Sequence, residues 1–317
     1  MSHLVAPGGD VPPGLPLDPD LQNLVDNLPG GLALPVKNDP VSARNQFRRL
    51  TVALRDAQPP ANLESIEDIS VPGATSDQPA RVYTPFGEER KPTILFFHGG
   101  GFVVGDVESY DLQVRTIAER TGLTVVSVEY RLAPEDPFPA AADDAESIAR
   151  WMLAHADNFG DGRVIVMGDS AGGNLAAVVA QNVEGFLAQV LIYPASDFSR
   201  EYPSLELHGA GPVLTGEAGR LFHAAYLAGG DGTDPRCSPL YGADRPGQPP
   251  AVVITCEYDI LRDAGIAHAH AVGAAGVPTT HLHYPALTHG FMGMFPLSKA
   301  CDSAIDEFCA ATLAFAN

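Results

Sequence analysis

Short apolar runs that alternate with helical patterns constrain this chain more than any other feature. Thr93–Phe97 is continuously apolar and leads through a Gly-rich loop to a helical pattern near Tyr110–Arg120. Thr124–Val128 is followed by a proline-rich loop and a helical stretch near Ala140–Ala156. Val164–Met167 opens into a helix from about Gly172, and Ala188–Ile192 is a further run. Ala251–Thr255 precedes a helix near Ala264–Ala275, and Thr280–Tyr284 precedes a last one near Ser298–Phe315. None of the runs shows the period-two polarity of a half-exposed strand. This rhythm predicts an α/β fold with a mostly parallel sheet buried on both faces.

Other segments break the rhythm. Residues 1 to about 17 are rich in Pro and Gly and read as a loose tail. Leu21, Leu24, Val25 and Leu28 follow helical spacing, and Val41–Leu54 is amphipathic, with Arg44, Arg48 and Arg49 on its polar side. Ser65–Val71 and Arg81–Thr84 read as short strands. Ser196–Gly230 is long and partly helical and is expected to fold apart from the sheet. The expected organisation is an N-terminal segment, 1–55, and a main domain, 56–317, that carries an insert at about 196–230.

Composition excludes several function classes. The 317 residues hold 19 basic and 39 acidic side chains, a formal charge of −20, which repels phosphate backbones and argues against nucleic acid. No run approaches the ~18 apolar residues of a membrane span, and the start lacks a basic segment followed by an apolar one. Cys237, Cys256, Cys301 and Cys309 form no CxxC pair and no metal-ligand spacing, so reduced thiols in a cytoplasmic protein are expected. Neither a Walker A motif nor a βαβ-borne GxGxxG is present, so no nucleotide cofactor is expected.

The residues that carry chemistry lie at strand ends. Gly168-Asp169-Ser170-Ala171-Gly172 follows one run directly and opens a helix. In that setting the serine sits on a sharp turn with its hydroxyl exposed and a helix N-terminus behind it. His98-Gly99-Gly100-Gly101-Phe102 ends another run, where consecutive glycines let backbone N–H groups approach a developing oxyanion. A serine hydroxyl needs a base. Among ten histidines His289 stands out, because His289-Gly290-Phe291 follows the last run. His281 and His283 share a strand face, but no third metal ligand accompanies them. His98 reads as a brace for its own loop. The orienting acid should follow Ala251–Thr255. Glu257, Asp259 and Asp263 are candidates, and Asp259 is favoured by its place in the turn before the helix. Tyr130–Glu135 reads as a loop anchor and Asp143-Asp144 as a solvated helix face. Leu214, Phe222 and Tyr226 in the insert are candidate pocket residues, the two aromatics sharing a helix face at i, i+4.

Taken together these stretches resemble the hormone-sensitive-lipase-like α/β-hydrolases of the bacterial Gly-Asp-Ser-Ala-Gly type. The likeness runs from about Ala80 to Phe291, and Asp234–Leu240 also falls in the family's order. It implies a serine carboxylesterase acting on short acyl esters through an acyl-enzyme, without metal or other cofactor. It further implies an eight-stranded sheet, a helical cap built from the N-terminal segment and the insert, and a homodimer through the sheet edge. By position Ser170 resembles the nucleophile, Asp259 the acid and His289 the base, with the Gly99, Gly100 and Ala171 amides as oxyanion donors. The chain departs from the family at the acid turn, where Asp259-Ile260-Leu261-Arg262 lacks the usual proline after the aspartate. An amidase, lactonase or small-polyester hydrolase would use the same machinery; a silent ligand receptor would lack a member of it.

Overall fold

The computed structural model describes residues 3–5, 9–11, 14–27, 39–60, 62–87 and 89–316. Leu28, the last position of the first helical pattern, lies outside the described residues, as do parts of the N-terminal tail. A mixed sheet runs through the molecule in the order β1-β9-β8-β7-β6-β4-β5-β3-β2. Its parallel centre comprises β4 (Thr93–Phe97), β5 (Val125–Val128), β6 (Val164–Asp169), β7 (Ala188–Ile192), β8 (Ala251–Tyr258) and β9 (Thr279–Thr288). Every residue of β4, β5, β6 and β7 is buried, as the unbroken apolar runs require of strands covered on both faces. β2 (Ser65–Pro72) and β3 (Asp77–Thr84) form an antiparallel hairpin at one edge, attached through β5.

Among the described residues the sheet has nine strands, one more than the eight expected. The addition is β1 (His3–Val5), which pairs antiparallel with β9 and sets His3 opposite His283. The composition of the tail signalled a loose segment, but the open edge of β9 supplies backbone partners that any extended chain can use.

α3 (Asp111–Thr121), α4 (Ala140–Ala154), α5 (Ala171–Asn182), α8 (Arg262–Ala274) and α9 (Lys299–Leu313) flank the sheet. Two apolar clusters divide the core, one on each face: Leu95, Phe97 and Val166 belong to one, Ile94, Phe96 and Ile165 to the other. The alternation of neighbouring strand residues between them follows from the two-residue side-chain period. Asp144 corrects the solvated-face reading of the acidic pair. It is fully buried and takes hydrogen bonds from the Arg131 backbone, the Arg131 guanidinium and the Ala74 amide, while Asp143 pairs with Arg236.

Among the described residues, four further helices lie at the end of the sheet where the parallel strands finish: α1 (Pro19–Asn27), α2 (Pro40–Asp56), α6 (Pro203–His208) and α7 (Gly216–Leu227). α2 begins with Pro40 and an Asp39 cap that accepts from the Ser42 amide. Its arginines do more than face water. Arg44 donates to the Val103 and Ala133 carbonyls and to Glu135, and Arg48 donates to Asp106. These contacts fasten α2 to the loops after β4 and β5. α6 is tied to the loop after β8: the Ser204 hydroxyl donates to the Ile260 carbonyl, and the Ser204 amide donates to Asp263.

Candidate active site

Ser170 occupies the turn between β6 and α5 at φ 54°, ψ −116°, a conformation that non-glycine residues rarely adopt. The turn is possible because its neighbours are small. A Cβ on Gly168 would lie 2.2 Å from the Gly172 carbonyl oxygen, and one on Gly172 would lie 2.0 Å from the Phe97 carbonyl oxygen. The Ser170 amide donates to the Ile192 carbonyl of β7, and its own carbonyl accepts from the Asn174 and Ala195 amides. The strain is thus held by bonds on both sides.

His289 stands just past the end of β9, and its amide donates to the Tyr258 carbonyl. Its Nε2 lies 3.0 Å from Ser170 Oγ, and its Nδ1 lies 2.8 Å from Asp259 Oδ2. Asp259, almost fully buried, also accepts from the Leu261 amide through Oδ1. Three groups separated by up to 119 positions in the chain therefore meet in one hydrogen-bonded row. The other two carboxylate candidates are engaged elsewhere. Glu257 pairs with Arg262 and lies beside His208 and His283, and Asp263 accepts from Ser204 and Arg262.

The glycine loop differs in detail from the expectation. Gly99 points its N–H at the buried Asp169 carboxylate, 2.8 Å away, so this amide is already used. Gly100, Gly101 and Ala171 line the cavity next to Ser170, and their amides have no acceptor among the described residues. The available donor set is therefore Gly100, Gly101 and Ala171, with Gly101 replacing Gly99. His98 braces this loop, as expected: its Nδ1 sits 2.7 Å from the Gly99 carbonyl oxygen, and its ring stacks on Tyr130. The Tyr130 hydroxyl donates to the His98 carbonyl, and burial pushes the His98 imidazole down to about 4, so it is uncharged at neutral pH.

Two residues that sequence reasoning passed over complete the surroundings. Asp169 lies at the cavity wall, where burial pushes its carboxyl up to about 7 against the opposing influence of the neighbouring His289 and the Gly99 amide. Tyr193 places its ring centroid 4.7 Å from that of His289 and its hydroxyl within 3.5 Å of Asp169. The aspartate's place beside the serine was visible in the motif; the direction of its side chain was not.

Above Ser170 lies a cavity of about 400 Å³ with mainly apolar walls. α2 contributes Phe47, Leu50 and Leu54, and the loop and helix of the insert contribute Leu214, Leu221 and Phe222. Leu214 and Phe222, two of the candidate pocket residues, line this cavity. Tyr226 does not: it is fully buried behind the wall, its ring stacked on Phe102 at 3.6 Å, one helical turn beyond Phe222. Sharing a helix face was insufficient, because the helix end dips into the core there. Among the described residues no cluster of three or more metal-ligating side chains occurs, and no helix is long and apolar enough to cross a membrane.

Comparison with known proteins adds to this geometry. A family model described as the alpha/beta hydrolase fold matches residues 94–293. The chain is 38% identical to the carboxylic ester hydrolase LipN of Mycobacterium tuberculosis, across 94% of this chain and 83% of that protein. It is 36% identical to the ethyl acetate hydrolase of Pseudomonas putida, across 72% of this chain and 75% of that one. Among solved structures, an esterase from Pyrobaculum calidifontis superposes with a TM-score of 0.87 at 36% identity, covering 95% of this chain and all of that one.

Proposed function

The chain belongs to the hormone-sensitive-lipase-like α/β-hydrolases and is a serine carboxylic ester hydrolase, and we propose that Ser170, His289 and Asp259 carry its reaction on short-chain acyl esters. The row from Asp259 through His289 to Ser170 is the observation that carries the residue roles. Ser170 Oγ attacks the ester carbonyl carbon while His289 Nε2 takes its proton. Asp259 holds the other ring nitrogen, fixing the tautomer and favouring the imidazolium. The electron pair displaced onto the carbonyl oxygen is met by the Gly100, Gly101 and Ala171 amides, each typically worth ~10²–10³ in turnover at such a site. The tetrahedral centre collapses, the bond to the alcohol oxygen breaks, and the imidazolium returns its proton to that oxygen. Water then repeats the sequence on the acyl-serine, releasing the acid.

The short acyl preference is supported by the name of the Pseudomonas putida relative, an ethyl acetate hydrolase, while the apolar walls disfavour a charged acyl group. The same reading makes residues 1–55 and about 196–230 a cap over a catalytic domain of residues 56–317, since α2 and α7 wall the cavity. It includes a homodimer through the sheet edge, for which β1 and β2 are the outermost strands. It also includes a cytoplasmic location, in keeping with four free, buried cysteines.

Ser170→Ala is expected to abolish ester turnover and labelling by a fluorophosphonate probe while its thermal melt matches the unaltered protein. Turnover near the original level in that variant would remove Ser170 from its role.

A further inference from the structure

Gln113, the third residue of α3, is a feature of the cavity that the proposed chemistry leaves unused. It is 7% exposed, and its side chain lines the cavity alongside Leu24, Phe47 and Met292. Its Oε1 is buried with no hydrogen-bond partner among the described residues. Its Nε2 borders the turn after His289 and is the first atom that a Cβ on Gly293 would meet, at 3.2 Å. A carbonyl oxygen kept unpaired in an apolar wall costs free energy that a bound polar group would offset. Such isolated polar groups are what orient a ligand in an otherwise hydrophobic pocket.

Its place in the cavity indicates which half of the ester it faces. His289 Nε2 must lie against the leaving oxygen to protonate it. The wall continues from His289 through Gly290 and Met292 to Gly293, where Gln113 begins. The amide therefore borders the alcohol side. Leu24, Phe47 and Met292 around it favour methylene groups between the ester and whatever the amide binds.

We propose that Gln113 is a specificity-determining residue that hydrogen-bonds a second oxygen in the alcohol part of the substrate, and that monoesters of aliphatic diols are the class it selects. A hydroxyl both donates and accepts, so it satisfies the amide whichever of its two ends faces the cavity. The proposal rests on the ester-hydrolase reading with Ser170 as nucleophile.

The test is a series of diol monoacetates of increasing chain length, each compared with the n-alkyl acetate of equal heavy-atom count. The ratio of the two kcat/KM values is expected to peak at one length. Gln113→Leu should lower that peak about ten-fold. Gln113→Asn, one methylene shorter, should move the peak to a diol about one carbon longer. Thermal melts establish that each variant is folded, and Gln113→Met replaces the leucine variant if that one does not fold. A ratio that follows the unaltered protein at every length in Gln113→Leu would overturn the proposal. So would discrimination confined to hydroxyls placed on the acyl part. Fluorophosphonate labelling of Ser170 separates the two levels: labelling with a flat ratio sinks the role of Gln113, whereas no labelling and no ester turnover sinks the reading beneath it.

Discussion

Asp259 and Asp263 lie about one helical turn apart, and their contacts differ. Asp259 faces His289 Nδ1 at 2.8 Å, whereas Asp263 accepts from the Ser204 amide of α6. Asp259→Asn is expected to lower kcat by ~10³–10⁴, because an amide in that place favours the wrong imidazole tautomer. Asp263→Asn removes a charge from a positioning contact and should cost ten-fold or less. Steady-state kinetics of the two variants on one ester decide the order, and a larger loss in Asp263→Asn would move the acid. Residue-scale reading of the chain was sound where a motif dictates backbone shape, as at Ser170 between Gly168 and Gly172. It failed at Gly99, since consecutive glycines look alike in a string. Only the folded Asp169 carboxylate shows which amide is consumed and which are left.

At the scale of elements, α6 acts as a bracket on the loop that bears Asp259. The Ser204 hydroxyl donates 2.9 Å to the Ile260 carbonyl, next to the acid, and Arg262 links Glu257 and His208 on the outer side. Ser204 is fully buried, so its loss strands a carbonyl out of water. Ser204→Ala is expected to cost about 1–3 kcal/mol of stability and to lower kcat several-fold with little change in KM. Urea unfolding and steady-state kinetics check both halves; unchanged kcat with lowered stability would leave Ser204 a purely structural contact. The elements themselves were legible: β4 and β7 coincide with the apolar runs at Thr93–Phe97 and Ala188–Ile192. β1 was not, because pairing with β9 depends on an edge more than 270 positions away.

Across the whole molecule, burial leaves an excess of neutral histidines. Desolvation pushes His98, His268 and His283 down to about 4 and His281 to about 3, from an ordinary value near 6.5. Between these folded values and about 6.5 the unfolded chain binds protons that the folded chain does not, so stability rises with pH there and falls on acidification. His208 and His223, lowered mainly by burial, act in the same direction. Asp169, pushed up to about 7, and Glu129, raised chiefly by burial, act oppositely because they hold protons in the folded state. The histidines outnumber them. The melting temperature is therefore expected to drop steadily from pH 7 to pH 5 at constant ionic strength, with a net uptake on unfolding of about two to four protons. A melting temperature that holds level or climbs over that interval would contradict the assignment of these rings as neutral.

Strand–helix alternation, the sharp serine turn and the glycine loop after β4 were written into local residue order. Each depends on side-chain period or backbone freedom over a few neighbouring positions, which a linear string carries in full. The spending of the Gly99 amide on Asp169, the retreat of Tyr226 and the unpaired carbonyl oxygen of Gln113 were decided only in three dimensions. Those outcomes turn on which groups approach within hydrogen-bonding or packing distance from remote parts of the chain, and such distances exist only once the sheet has brought its strand ends together.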